Sequence, residues 1–167
     1  MMNSDFALIM ALPSESQGLF EQAGIQVHYS GIGKVNAAFK AFEVIQKTGC
    51  KTLLNLGTAG SSYFDAHALV EVCQFVQRDM DVSPLGFQVG VTPMDQEHPA
   101  EIPLERYFEH LPSGVCGTGD SFETGTPKVP CQLVDMEAMP SPKSVKNWGY
   151  ACCRSNILPM VPMIQHI

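Results

Sequence analysis

Phe6-Ala-Leu-Ile-Met-Ala-Leu12 is an unbroken apolar run of strand length, closed by Pro13-Ser14-Glu15. A strand without polar alternation is one buried on both faces, the habit of parallel sheets covered by helices. Thr52-Leu-Leu-Asn-Leu56 reads as a second such strand, ending in Gly57-Thr58-Ala59-Gly60. Between them, residues 16–23 predict a short helix closed by Gly24, residues 25–29 a strand, and Ser30-Gly31-Ile32-Gly33-Lys34 a glycine-rich turn. Val35, Ala38, Phe39, Phe42 and Ile45 then recur at helical spacing until Gly49 stops the helix. Further on, residues 68–77 predict a strand, and the Pro-rich stretch 84–110 a short helix near 104–110. Residues 114–119 lead into Asp120-Ser121-Phe122, and residues 132–136 form another short strand. Strands alternating with helices, with glycine turns at strand ends, predict one α/β domain over residues 1–167.

The totals narrow the function. The 167 residues suffice for one domain with a sizeable core, and 45% hydrophobic with 16% charged is globular composition. A net charge of -7 opposes nucleic-acid binding, which needs clustered Lys and Arg to displace counterions from phosphate. No apolar run reaches the roughly 18 residues of a membrane span, and Met1-Met-Asn-Ser-Asp-Phe6 lacks a basic signal region, so a cytoplasmic protein is expected. Cys50, Cys73, Cys116 and Cys131 stand singly in apolar surroundings, as small buried hydrophobes do, and no Cys-x-x-Cys pair suggests zinc.

In open α/β sheets, ligands bind outside the carboxyl ends of the strands. That edge gathers Glu15, residues 31–34, 58–60 and 120–122, and Asp135 to Glu137. Taken singly, each has a plain structural reading. Glu15 suits a helix start, Phe122 a core position, and the glycine turn lacks the third glycine of a dinucleotide fingerprint. Asp135 and Glu137, two apart on a strand, share a face, and an acidic pair at a strand end points to a site.

In order along the chain, these segments are Ala11-Leu-Pro-Ser-Glu15, Ser30-Gly-Ile-Gly-Lys-Val35 and Asn55-Leu-Gly-Thr-Ala-Gly60. Then come Asp79-Met-Asp-Val-Ser-Pro-Leu-Gly-Phe87, Thr118-Gly-Asp-Ser-Phe122 and Val134-Asp-Met-Glu-Ala138. Together they resemble the purine nucleoside phosphorylase superfamily, closest to the 5'-methylthioadenosine/S-adenosylhomocysteine nucleosidases. The resemblance covers residues 6–138. It implies a three-layer α/β fold around a central mixed, mostly parallel sheet. It further implies hydrolysis of a purine nucleoside with water, without metal or cofactor, in a homodimer whose pockets are completed by residues 79–87.

By the same resemblance, Glu15 orients and deprotonates the attacking water, and Thr58, Ala59 and Gly60 form the turn beside it. Phe122 stacks on the purine. Met136 and Glu137 bracket the ribose, with Glu137 accepting from the sugar hydroxyls, and Ile32 belongs to the substrate-binding set. Carboxylates near the ribose suit a reaction that builds an oxocarbenium-like sugar. Asn55 stands where phosphorylases of the superfamily commonly carry a phosphate-binding arginine, which favours hydrolysis. The chain departs from the family at several points. Pro13-Ser14 replace two glutamates, only residues 16–29 precede the glycine turn, Leu85 replaces an aromatic, and Glu123 follows Phe122 in place of an apolar residue.

After Ala138 the composition changes abruptly. Residues 139–167 contain no Asp or Glu, four prolines (Pro140, Pro142, Pro159 and Pro162) and Trp148, the single tryptophan. The family continues there into a helix and a strand ending in Ile-Ser/Thr-Asp, whose aspartate protonates the purine. Pro140 and Pro142 oppose that helix. A shifted reading frame would account for the change, the alternative being a divergent natural tail. Codons can be chosen so that the neighbouring frame reads YALAKVCKKLGLCLLSIKYITDGADDSAH. The forced products, Ala from Met139, Gly from Trp148 and Met160, and Asp from Met163, suit the family pattern. The expectation is a frameshifted or truncated C-terminus that impairs catalysis and packs poorly.

Overall fold

The computed structural model describes residues 6–96 and 100–138, and the backbone of residues 147–152. The elements run β1 (Phe6–Met10), α1 (Pro13–Ser16), α2 (Leu19–Gln22), β2 (Val27–Tyr29), α3 (Lys34–Thr48), β3 (Thr52–Gly57) and β4 (Val70–Gln77). A 3-10 turn (Ser83–Leu85) follows, then β5 (Glu101–Pro103), β6 (Ser113–Thr118), β7 (Leu133–Asp135) and β8 (Asn147–Cys152). They build an eight-stranded sheet of order β2-β1-β3-β8-β4-β6-β7, with β5 on β4. All pairings are parallel except β4 against β5 and β8. The mixed, mostly parallel α/β sheet is therefore as the sequence predicts. Among the described residues one long helix, α3, lies against it.

The apolar runs do what their lack of alternation requires. In β1, Ala7 and Ile9 join a core with Val44, Leu53, Val72 and Phe75, while Leu8 and Met10 join another with Phe20 and Leu56. Each face of the strand is buried. Cys50 and Cys116 are buried as expected, Cys73 and Cys131 only partly, and all four are free thiols.

Several sequence expectations need correction. The helix over residues 16–23 is instead two single turns, because Gln17 (φ 49°) and Gly18 (φ 74°) take the left-handed conformation between them. In α3 the buried residues are Ala37, Ala41 and Val44, whereas Val35, Phe39 and Phe42 are exposed. The small residues let the helix lie close to the sheet. Residues 104–110 form no helix. Their backbone is captured by Glu71 of β4, whose buried carboxylate accepts from the Tyr107 amide at 2.6 Å, the Phe108 amide at 3.1 Å and Arg106 Nε at 3.0 Å. The largest departure is in the tail. The backbone of Asn147–Cys152 forms β8, between β3 and β4 in the middle of the sheet, where no strand was expected. Residues 139–146, on which the opposed helix falls, lie outside the described residues.

Burial alone would raise the Glu71 pKa, but the Tyr107 and Phe108 amides and the Arg106 guanidinium hold it below the ordinary value. Its stabilising contribution is thus present above the unfolded carboxylate pKa and lost as pH falls through the folded one. Glu71→Ala would strand two amides and a guanidinium. We expect a loss of about 2 kcal/mol or more in urea unfolding at pH 7. A variant as stable as the parent would refute this anchor.

Candidate active site

The carboxyl ends of β1, β3, β6 and β7 meet at one edge of the sheet. Pro13 ends β1 and opens the single turn that carries Glu15, which is buried. Its Oε2 accepts from the amides of Ala11 (3.0 Å) and Leu12 (2.9 Å). Its Oε1 accepts from the Thr58 amide and Thr58 Oγ1, both at 3.0 Å. Glu15 is thus more than a helix-start acid. Four donors from two strand ends fix it against the Thr58 turn.

That turn is held from its other side. Ala59 is buried, and Gly60 exchanges two 2.8 Å backbone hydrogen bonds with Val134. A Cβ on Gly60 would fall 2.9 Å from Val134 Cγ2, so the close approach requires glycine. The end of β7 is joined to β3 by this bridge.

Beyond β7 the acidic pair diverges, contrary to the shared face expected of it. Asp135 is buried, and its Oδ2 accepts from the Ala138 amide at 2.7 Å, which stops the chain continuing as a strand. Glu137 sits in the resulting bend and reaches the Gly33 amide at 3.4 Å. Burial, with the neighbouring Asp135 and Glu15 charges adding to it, raises the Glu137 pKa to about 7. This is the one strongly perturbed carboxyl of the edge, and it can hold or release a proton near neutral pH.

The glycine turn before α3 carries further contacts. Asp120 Oδ1 accepts from the Lys34 amide at 2.7 Å, and Asp79 pairs with Lys34 Nζ at 2.7 Å and accepts from the Asp120 amide at 2.8 Å. The helix N-terminus is therefore occupied by the protein's own carboxylates. This network ties the 120–122 loop to the glycine turn, and the sequence reading missed it. The paired acids of Asp79-Met-Asp81 were its only local signal.

Ile32 and Phe122 project from the same edge at 49% and 72% exposure, and Met136 is partly buried beside Glu137. Phe122 is not a core aromatic. A ring left that open is available for stacking. A cavity of about 710 Å³ opens next to this edge, between Gly60–Tyr63 and residues 123–132. It shares only Gly60 with the candidate residues, its one lining carboxylate is Glu123, and Glu15 and Glu137 lie outside its lining. Among the described residues no His, Cys, Asp or Glu group is arranged to hold a metal, and no helix is long and apolar enough to cross a membrane.

A sequence model of the phosphorylase superfamily matches residues 17–141. The chain belongs to that superfamily. Glu15 lies just ahead of the matched stretch. Among similar proteins, the 5'-methylthioadenosine/S-adenosylhomocysteine nucleosidase of Geobacillus sp. (strain WCH70) is 29% identical over 119 residues, covering 64% of this chain and 51% of that protein. The aminodeoxyfutalosine nucleosidase of Campylobacter jejuni is 31% identical over 105 residues, 56% of this chain and 46% of that one. The chain spans about half the length of the curated relatives it matches.

Solved structures agree on the fold. The futalosine hydrolase mutant of Helicobacter pylori superimposes with a TM-score of 0.74 at 21% identity, over 90% of this chain and 88% of that one. The Campylobacter jejuni 5'-methylthioadenosine/S-adenosylhomocysteine nucleosidase gives 0.74 at 20%, over 90% and 85%.

Proposed function

We propose that this superfamily member binds a purine nucleoside, such as 5'-methylthioadenosine or S-adenosylhomocysteine, and directs water to its N-glycosidic bond. The observation that carries this reading is that Glu15, fixed on the Thr58 turn, and Glu137, whose pKa burial raises to about 7, stand at the same carboxyl edge of the sheet. The nucleosidase names of the relatives support it. In this reading a water beside Thr58 hydrogen-bonds to Glu15 and attacks the anomeric carbon. Glu137, ionised, accepts from the ribose hydroxyls and offsets the positive charge that develops on the sugar. Phe122 stacks on the base, Met136 lies against the ribose, and Ile32 borders the pocket.

Phosphate is disfavoured as the attacking group. The donors that would hold an anion at the ends of β1 and β3, the Ala11, Leu12 and Thr58 amides, already serve Glu15. Asn55 is buried there and brings no positive charge.

A second reading, a nucleoside-binding protein without turnover, is favoured by one observation. Residues 138–167 contain no Asp or Glu to act as the acid that protonates the purine. Release of adenine from methylthioadenosine, measured with and without phosphate, separates the readings. Phosphate-independent release supports the nucleosidase, and binding without release supports the second reading. Phosphate-dependent release would overturn both.

The proposed assembly is a homodimer. Val35, Phe39 and Phe42 on α3 and Leu85 beyond β4 are large apolar residues left exposed, and a partner surface would cover them. The proposed location is the cytoplasm, consistent with the free thiols at Cys50, Cys73, Cys116 and Cys131. Neither nucleic acid nor membrane is a proposed partner, given the net charge of -7.

A further inference from the structure

We propose that Arg78 is a positioning residue that clamps the loop carrying Phe122 to the strand end that precedes Glu137. This proposal rests on the nucleoside site described above. Arg78 follows β4 directly and is buried at 6% exposure. Its Nε donates to the Gly117 carbonyl at 3.2 Å. Nη2 donates to the carbonyls of Gly119 and Asp135, each at 3.2 Å, and to that of Ser121. Nη1 reaches Ser121 Oγ at 3.0 Å and Glu123 Oε2 at 3.5 Å. The fork therefore spans the end of β6, the whole 119–123 loop and the last residue of β7.

The loop is wrapped tightly around this side chain. A Cβ on Gly119 would stand 3.0 Å from both Arg78 Cζ and Asp79 Cγ and 3.1 Å from Arg78 Cγ, so the loop backbone closes tightly over these two side chains. The Gly119 amide also donates to the Asp135 carbonyl at 3.2 Å. One planar cation thereby fixes both the segment leading to Phe122 and the one leading to Glu137. Lysine has the charge but neither the fork nor enough donors to replace it. Glu123, where the family usually carries an apolar residue, is explained by the same clamp. Its carboxylate pairs with Arg78 Nη1 at 3.5 Å.

The test combines amide hydrogen exchange with fluorescence of 2-aminopurine riboside, whose emission reports stacking. In Arg78→Lys, exchange of the residue 119–123 amides should accelerate about 10-fold or more while β1 and α3 keep their protection, as expected when charge-assisted bonds are lost. The fluorescence change at saturation should shrink, and the riboside Kd should weaken about 10-fold. Ser121→Ala, a substitution in the exposed loop that removes one partner of the fork, should shift the same readouts about 3-fold without lowering Tm measurably. It decides the matter if Arg78→Lys does not fold. Unchanged exchange and fluorescence in the folded variants would overturn the clamp. A loosened loop with no fluorescence change even in the parent would uphold the clamp and sink the nucleoside reading.

Discussion

Replacing Glu137 with glutamine should stabilise the protein above neutral pH while weakening the proposed binding of a nucleoside. The folded pKa of Glu137 is about 7, against an ordinary 4.5, because burial and the Asp135 and Glu15 charges disfavour its ionised form. Between those two values the folded state holds a proton that the unfolded state has lost. Its contribution is therefore fully present below the unfolded pKa and is lost as pH rises through the folded one. Stability should fall from pH 4.5 to 7 and then level off, with a cost on the order of 3 kcal/mol at pH 8. Glu137→Gln mimics the protonated form, so urea midpoints for variant and parent should coincide near pH 4.5 and diverge above it.

Binding should run in the opposite direction. If Glu137 accepts from the ribose hydroxyls as proposed, its ionised form binds better, so parent affinity for methylthioadenosine should rise through pH 7. Loss of a charge-assisted acceptor should cost Glu137→Gln about 10-fold or more. Parallel stability curves for parent and variant from pH 5 to 8 would show that Glu137 is not the strained acid of this edge.

The strands and turns that form this edge were legible because their signals are local. An apolar run of strand length followed by proline, or by Gly-Thr-Ala-Gly, fixes both the element and the point where it ends. What escaped the sequence depends on partners distant along the chain. Residues 104–110 have a helical composition, but Glu71, more than thirty positions earlier, takes the amides that a helix would use. In α3 two stripes have helical spacing, and periodicity cannot tell which one meets the sheet. Close packing selected Ala37, Ala41 and Val44 over the larger Val35, Phe39 and Phe42. Nothing in the sequence near Arg78 shows that four carbonyls from two other segments converge on it. The strand Asn147–Cys152 was hidden by the proline-rich change of composition around it.

That last strand sets the largest expected effect. β8 runs parallel to β3, with Cys152 opposite Gly57, and so ends beside the turn that holds Glu15. By the family resemblance, the aspartate that protonates the purine comes at the end of a strand in this part of the chain. Here the next residues are Cys153, Arg154 and Ser155, and residues 139–167 hold no Asp or Glu side chain. Loss of a general acid typically removes a factor of about 100 to 10,000, so adenine release from methylthioadenosine should fall below that of a full-length nucleosidase by that margin. Replacing residues 139–167 by YALAKVCKKLGLCLLSIKYITDGADDSAH places an Ile-Thr-Asp after a strand-forming stretch and should recover most of the lost factor. Changing that new aspartate to asparagine should abolish the recovery while leaving methylthioadenosine binding intact. If the unaltered polypeptide released adenine at the rate of a full-length relative, some other group would be delivering the proton, and the tail would have no bearing on catalysis.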